Sequence, residues 1–226
     1  GSNRKDNNMV NNDLSGKTIG WIGTGRMGYA MAERLLKAGA NLSAWNRTKS
    51  KAEPLAELGA TIVDAPAELA NCDIVFTMVG GPADFVEVTK GEHGVLSQGS
   101  QVPGLLIDCT SISEEASREV REFATGVGTA MIDAPVSGNA KVVKAGKLSI
   151  VASGAQDAFD EALPFLNAIA QGVSYVGEGE LARMVKICHN VFLGVVIQSL
   201  AEITVLAEKG GVPRHAFMDF INKSVM

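Results

Sequence analysis

Residues Thr18–Gly28 read TIGWIGTGRMG, a short apolar run followed by glycines at positions 23, 25 and 28. The run leads into Arg26–Lys37, RMGYAMAERLLK, whose apolar residues recur at helical spacing. Gly23 permits a tight turn, Gly25 lets the backbone approach a pyrophosphate, and Gly28 allows the helix to pack closely on the strand. The free N–H groups and dipole at the helix N-terminus favour an anion there. As an isolated pattern this spacing is weak. Between the first strand and first helix of an alternating chain it predicts a dinucleotide-binding turn, with Gly23, Thr24, Gly25, Arg26, Met27 and Gly28 as its contacts.

The alternation continues outward from that turn. Thr18–Ile22, Asn41–Trp45, Ala60–Val63, Asp73–Val79, Gly104–Asp108 and Thr129–Asp133 predict strands. Arg26–Lys37, Thr48–Leu58, Pro66–Ala70, Pro82–Val88 and Ser113–Ala124 predict helices. Such a pattern implies right-handed crossovers and an α/β, doubly wound, mostly parallel sheet of the Rossmann type. Leu148–Ser153 and Val173–Val176, with a helix at Gln156–Leu166 between them, are expected to extend the same sheet. The character then changes. Glu180–Lys209 has no strand signal and no proline, and is apolar almost all round, so a long helix buried on several sides is expected. Gly210 and Gly211 stop it, Pro213 restarts the chain, and Ala216–Ile221 begins another helix. The expected organisation is a disordered polar tail with a cloning remnant at 1–16 and a dinucleotide-binding domain at 17–178. Residues 179–226 then form an interdomain helix and the truncated start of an all-α C-terminal domain.

A net charge of −5 gives no basic excess for nucleic acid. The three cysteines and three histidines are scattered, with no Cys-x-x-Cys pair, which predicts reduced, buried thiols and no metal centre in a cytoplasmic protein. The most apolar stretch, Met184–Leu206, carries Lys186, His189, Gln198 and Glu202, so it reads as a buried helix and not as a membrane span.

Further candidates lie where strands end. After the second strand, Asn46-Arg47-Thr48 stands where an acidic residue would accept hydrogen bonds from the ribose of NAD. Asn46 brings no charge to repel a 2′-phosphate and Arg47 can pair with one, with Lys49 and Lys51 nearby, so NADP is expected rather than NAD. Thr48 or Asn46 serves equally as a helix cap. Met78, Val79 and Gly80 can line the nicotinamide side with backbone groups. Thr110 or Ser111 either bonds ribose or carboxamide or belongs to a turn and helix cap. Asp133–Asn139, DAPVSGN, is read as a loop held out of regular pairing that presents Ser137 and adjacent N–H groups to a carboxylate. Lys186 and Asn190 share one face of the apolar helix, where burial would lower the lysine pKa and suit it to proton transfer. A lysine snorkelling to the surface beside a structural asparagine fits the same spacing. His189 reads as a structural histidine.

In order and spacing these motifs resemble the β-hydroxyacid dehydrogenase family, which includes relatives of 3-hydroxyisobutyrate dehydrogenase and the N-terminal NAD-binding domain of 6-phosphogluconate dehydrogenase. The resemblance covers Lys17–Met226. It implies that Ser137 and Gly138, with Asn139, bind the substrate carboxylate, that Lys186 is the acid/base and that Asn190 positions the substrate. The Trp45–Thr48 run looks like the NADPH-preferring glyoxylate and succinic semialdehyde reductase branch, and imine reductases share it. Asn139 replaces a second glycine common in the family, and His189 replaces the first of two asparagines. Family members continue into a helical domain that closes the site and helps build the dimer. The resemblance thus implies hydride transfer between NADP(H) and a small β-hydroxy acid or the corresponding aldehyde or keto acid, in a homodimer or higher assembly. An imine reductase, disfavoured by the lysine–asparagine pair, and a catalytically silent dinucleotide-binding scaffold are the alternatives.

Overall fold

The computed structural model describes residues 14–224. The expectation of a disordered tail lies outside the described residues up to position 13, but its boundary at 16 shifts. Leu14–Gly16 forms a 3-10 turn and Leu14 is buried in the core. The chain divides into two compact units, Gly1–Met184 and Val185–Met226.

The first unit is built on β1 (Thr18–Ile22), α1 (Arg26–Lys37), β2 (Asn41–Trp45), β3 (Thr61–Ile62), β4 (Ile74–Thr77), α2 (Pro82–Lys90), β5 (Leu105–Asp108), α3 (Glu114–Val127) and β6 (Ala130–Asp133). Six parallel strands are ordered β3-β2-β1-β4-β5-β6. The order reverses between β1 and β4, so the turns after these strands flank the crevice where such sheets bind ligands. Alternate residues serve opposite faces. Ile19, Trp21, Ile74, Phe76, Leu105 and Ile107 pack with Met31 and Leu35 on one side; Val75, Leu106 and Met131 pack with Phe85, Val88 and Val120 on the other. Burying both faces is why these strands read as continuous apolar runs.

Thr48–Leu58 is not the expected α-helix but two 3-10 turns, Lys49–Lys51 and Glu53–Leu58. Pro54 lacks the N–H an α-helix would use there and disfavours helical backbone at the residue before it. Pro66–Leu69 is likewise a 3-10 turn.

Beyond β6 come β7 (Val136–Ser137), α4 (Ala140–Lys144), β8 (Ser149–Ala152), α5 (Gln156–Ile169) and β9 (Gly172–Tyr175). Contrary to expectation, β8 and β9 do not extend the main sheet. They form a separate sheet, β7-β8-β9, joined to β6 by one antiparallel bridge between Asp133 and Ser153. The DAPVSGN segment is also not withdrawn from pairing, since Val136 and Ser137 pair antiparallel with Ile150 and Ser149.

The C-terminal ends of the central strands are in register. Thr77 pairs with Asp108, and Asp108 pairs with Asp133. Two fully buried carboxyl groups therefore end adjacent strands. The cation between them is Arg183, in the first turn of α6 (Leu181–Lys209), itself 1% exposed. Its Nη2 lies 2.5 Å from Asp108 Oδ2 and 3.3 Å from Asp133 Oδ1, Nη1 donates to the Thr110 carbonyl at 2.7 Å, and Nε donates to Ser117 Oγ at 3.3 Å. Arg121 adds a second cation, 3.2 Å from Asp133 and 2.6 Å from Glu180. Burial opposes the charge on Arg183, but Asp108 and Asp133 together outweigh it and hold its pKa up. Burial raises the pKa of Asp133 against the opposing pull of Arg183 and Arg121, and its Oδ2 accepts no hydrogen bond.

The second unit holds the rest of α6 and α7 (Arg214–Lys223). The expected burial of α6 on several sides is not found in the single chain. Phe192 is 63%, Ile197 67% and Leu206 69% exposed, because a two-helix unit has too few partners to cover an apolar helix all round. By length and composition alone, α6 is long and apolar enough to cross a membrane. Cys188 on α6 is exposed, against the expectation of three buried thiols, whereas Cys72 and Cys109 are buried. Burial, with Asp73 nearby, pushes the Cys72 thiol up to about 11, and burial also raises Cys109.

Removing one member of a buried ion pair strands its partner. Arg183→Met is expected to cost about 3–5 kcal/mol in urea unfolding, and a loss below about 1 kcal/mol would show the cluster to be incidental. Asp133→Asn should cost less than Asp108→Asn, because both oxygens of Asp108 accept hydrogen bonds, Oδ1 from Thr77 and Thr110 and Oδ2 from Arg183, whereas Asp133 Oδ2 accepts none. A carboxyl with a raised folded pKa binds its proton more tightly when folded. The stability from Asp133 is therefore present at acid pH and lost as pH rises through the raised value, and Asp133→Asn should flatten that part of the curve.

Candidate cofactor and substrate site

At the switch point, Gly23 has φ +102°, and a Cβ there would stand 2.1 Å from the Met78 carbonyl. A Cβ on Gly28 would stand 2.0 Å from the Gly23 carbonyl. These two glycines are required by backbone packed against backbone. Gly25 differs, since a Cβ there would meet nothing within 4 Å. Its bare backbone faces open space at the N-cap of α1, the geometry by which a glycine turn receives a pyrophosphate.

That space belongs to a cleft of about 470 Å³. It gathers eleven of the thirteen cofactor contacts expected from the sequence: Gly23, Gly25, Arg26, Met27, Gly28, Asn46, Arg47, Thr48, Met78, Val79 and Gly80. Thr24 faces a neighbouring cleft of about 610 Å³, shared with Arg26, Tyr29, Lys51 and Lys144. The Thr24 hydroxyl is buried and has no hydrogen-bond partner. Thr110 does not line the cleft. It is 1% exposed, its hydroxyl accepts from the Val79 N–H at 3.1 Å, its own N–H donates to Asp108, and its carbonyl receives Arg183. Instead of facing a ligand, Thr110 buttresses the Val79 backbone.

Asn46 works as a pin. Its Oδ1 accepts from the Thr24 N–H at 2.8 Å and its Nδ2 donates to the Thr48 carbonyl at 2.9 Å, tying the turn after β1 to the turn after β2. Thr48 makes no side-chain cap bond. Arg47 is 74% exposed and ion-paired with Asp84 of α2, a partner the sequence reading missed. Lys49, counted there among the positive charges, turns to Asp64 at 2.6 Å, and this hydrogen bond raises its pKa.

The carboxylate-binding candidates sit around β7. Ser137 is its last residue. Gly138 follows at φ +141°, where a Cβ would crowd Val142 and Leu148. Asn139 is committed differently from the expectation, since its Oδ1 caps α4 by accepting from the Val142 N–H at 3.0 Å. Because α4 packs against α1, and Ala140 and Lys144 share the second cleft with Thr24 and Gly25, this segment lies beside the glycine turn.

Lys186 and Asn190 belong to the second unit, one helical turn apart on α6. Lys186 is half-buried and burial lowers its pKa, while Asn190 and His189 are exposed. Among the described residues, no cluster of three or more His, Cys, Asp or Glu could hold a metal. Reading by motif missed Arg183 and Asp84. A lone arginine in an apolar helix was the available signal for the first, and an acid in the first turn after the β4 loop for the second.

The residues present fit a dinucleotide, with open backbone at Gly25 and cations at Arg26 and Arg47 along one cleft, and an unpartnered buried hydroxyl at Thr24 on the neighbouring one. Residues 18–177 match the model of the NAD binding domain of 6-phosphogluconate dehydrogenase. Glyoxylate/succinic semialdehyde reductase 2, chloroplastic, from Arabidopsis thaliana is 31% identical over 95% of this chain, which spans 60% of that protein's length. Glyoxylate/succinic semialdehyde reductase 1 of the same plant is 32% identical, with 92% of this chain and 72% of its own length covered. The structure of Mycobacterium tuberculosis 3-hydroxyisobutyrate dehydrogenase with L-serine superposes with a TM-score of 0.82 at 30% identity, covering 92% of this chain and 71% of that one. The family model, the relatives and the sheet order agree: this chain belongs to the β-hydroxyacid dehydrogenase family, and residues 18–177 are its nicotinamide-dinucleotide-binding domain.

Proposed function

We propose that the protein transfers hydride between NADP(H) and a small β-hydroxy acid or the corresponding aldehyde or keto acid. The observation that carries this reading is the cleft at the β1–β4 switch point, with open backbone at Gly25 and no acidic residue at the end of β2. Gly23–Gly28 would hold the pyrophosphate, Arg47 the 2′-phosphate, and Met78–Gly80 the nicotinamide side. When bound, the dinucleotide supplies or accepts the hydride.

The chain's own residues do the rest. Lys186 gives a proton to the substrate oxygen in the reducing direction and removes the hydroxyl proton in the oxidising direction. A lysine lowered by burial suits both tasks near neutral pH better than an ordinary one. Ser137 and the Gly138 N–H hold the carboxylate, and Asn190 orients the carbonyl. Asn139 stays the cap of α4. The names of the plant reductases support a small carboxylate-bearing aldehyde as substrate, and the L-serine complex supports a β-hydroxy acid. The exposed apolar residues of α6 support assembly as a homodimer or higher, with α6 as a helix of that assembly and not of a membrane.

Arg47→Ala is expected to weaken NADPH about tenfold, with NADH within about twofold, by calorimetry. A charged hydrogen bond at an exposed site is worth the lower end of its usual range. Equal losses for both cofactors would remove the 2′-phosphate assignment.

Lys186→Ala should lower kcat by about 10²–10⁴ with NADPH affinity nearly intact, assayed as NADPH oxidation with glyoxylate and succinic semialdehyde. Reduction needs the protonated lysine, so wild-type kcat/KM should fall as pH rises through its lowered pKa, while oxidation of hydroxy acids rises over the same range. Retained turnover in the variant would refute the role. NADPH binding without turnover of any carbonyl or cyclic imine would replace the enzyme by a cofactor-binding scaffold.

A further inference from the structure

The cleft that gathers the glycine turn, Arg26, Arg47 and Lys51 is lined by one acidic residue, Asp84, and its carboxylate is ion-paired with Arg47. The two side chains come from opposite sides of the switch point, Arg47 after β2 and Asp84 from the first turn of α2 after β4. A Cβ on Gly80 would lie 2.8 Å from Asp84 Oδ2, so the missing side chain at Gly80 leaves room for the carboxylate.

From this we infer that Asp84 is a specificity-determining residue that competes with the dinucleotide 2′-phosphate for Arg47. The inference rests on the reading of Arg47 as the 2′-phosphate contact. A phosphate monoester carries close to two negative charges at neutral pH and seeks the same guanidinium edge as a carboxylate. A dinucleotide with a free 2′-hydroxyl leaves the Arg47–Asp84 pair intact. One with a 2′-phosphate must draw Arg47 from Asp84 or accept a carboxylate close by. Asp84 therefore taxes NADP(H) alone and narrows its margin over NAD(H). The penalty is modest because Arg47 is 74% and Asp84 36% exposed, and exposed pairs are weakened by solvent.

The test is calorimetric titration of the wild-type chain, Asp84→Asn and Asp84→Glu with NADPH, NADH, 2′,5′-ADP and 5′-AMP at fixed ionic strength. Asp84→Asn should tighten NADPH and 2′,5′-ADP by a similar factor, about three- to tenfold, and leave NADH and 5′-AMP within about twofold. Asp84→Glu, which keeps the charge, should stay near wild type, and circular dichroism checks that each variant is folded. Weaker NADPH binding by Asp84→Asn would mean that Asp84 presents Arg47 to the phosphate, and would overturn the competition. No change, or equal gains for 5′-AMP and NADH, would overturn it too. Arg47→Ala separates the two claims. If it costs no NADPH affinity, the 2′-phosphate reading itself fails; if it does and Asp84→Asn brings no gain, only the role of Asp84 fails.

Discussion

Two aspartates end neighbouring parallel strands in register and are fully buried, and the C-terminal edge of the sheet and the start of α6 are arranged around that fact. Adjacent strands lie about 4.8 Å apart, so two carboxylates at this level repel strongly in a water-poor interior. The chain answers from far away in sequence, with Arg183 reaching Asp108 across 75 positions and Asp133 across 50. Exposing the aspartates would open the C-terminal edge of the sheet, and removing the arginine would leave them uncompensated. The start of α6 is therefore tied to the ends of β5 and β6. A tie of this kind specifies where a helix begins more surely than it adds net stability, since apolar replacements of buried ion clusters are often as stable.

The cluster reaches the cleft through Thr110. Thr110 gives its carbonyl to Arg183, its N–H to Asp108 and its hydroxyl oxygen to the Val79 N–H. The Met78–Gly80 turn thus stands on the same buried charges that root α6. Across the switch point, Gly23 lies against the Met78 carbonyl and Asn46 ties Thr24 to Thr48. Three turns from three strands are joined by backbone contact and hydrogen bonds, which holds the cleft's shape without a ligand.

How much of this the sequence revealed depends on the range of the interaction. Local signals were reliable: β1, α1 and β2 fall at the residues that the apolar runs and glycine turn predict, and the residues those motifs name line one cleft, Thr24 and Thr110 apart. The failures have physical causes. Pro54 turned a helical pattern into 3-10 turns, and β8 and β9 carry apolar runs that say strand without saying which sheet. Ser137 was read as loop because a two-residue strand is too short to show alternation. Arg183 and Asp84 were missed because a charge acquires its meaning from a partner that sequence distance hides. The expected carboxylate contacts are less legible, since Ser137 and Asn139 are short polar side chains of a kind that caps and turns use equally, and Asn139 serves as such a cap.

Lys186 and Arg183 make the sharpest contrast in the chain. They are cations three residues apart on one helix, an arrangement that places them on the same face. Arg183 is paired with two carboxylates that outweigh its burial, so its charge is locked and it can only hold structure. Burial lowers the pKa of Lys186, moving it toward the range where a proton can be given and retaken. Guanidinium and ammonium are not interchangeable in these posts. An arginine at 186 would never release its proton, and a lysine at 183 would have to reach Asp108, Thr110 and Ser117 from one nitrogen where Arg183 uses three. One helix thus carries a charge fixed by two aspartates at its root and, a turn later, a cation whose charge burial weakens.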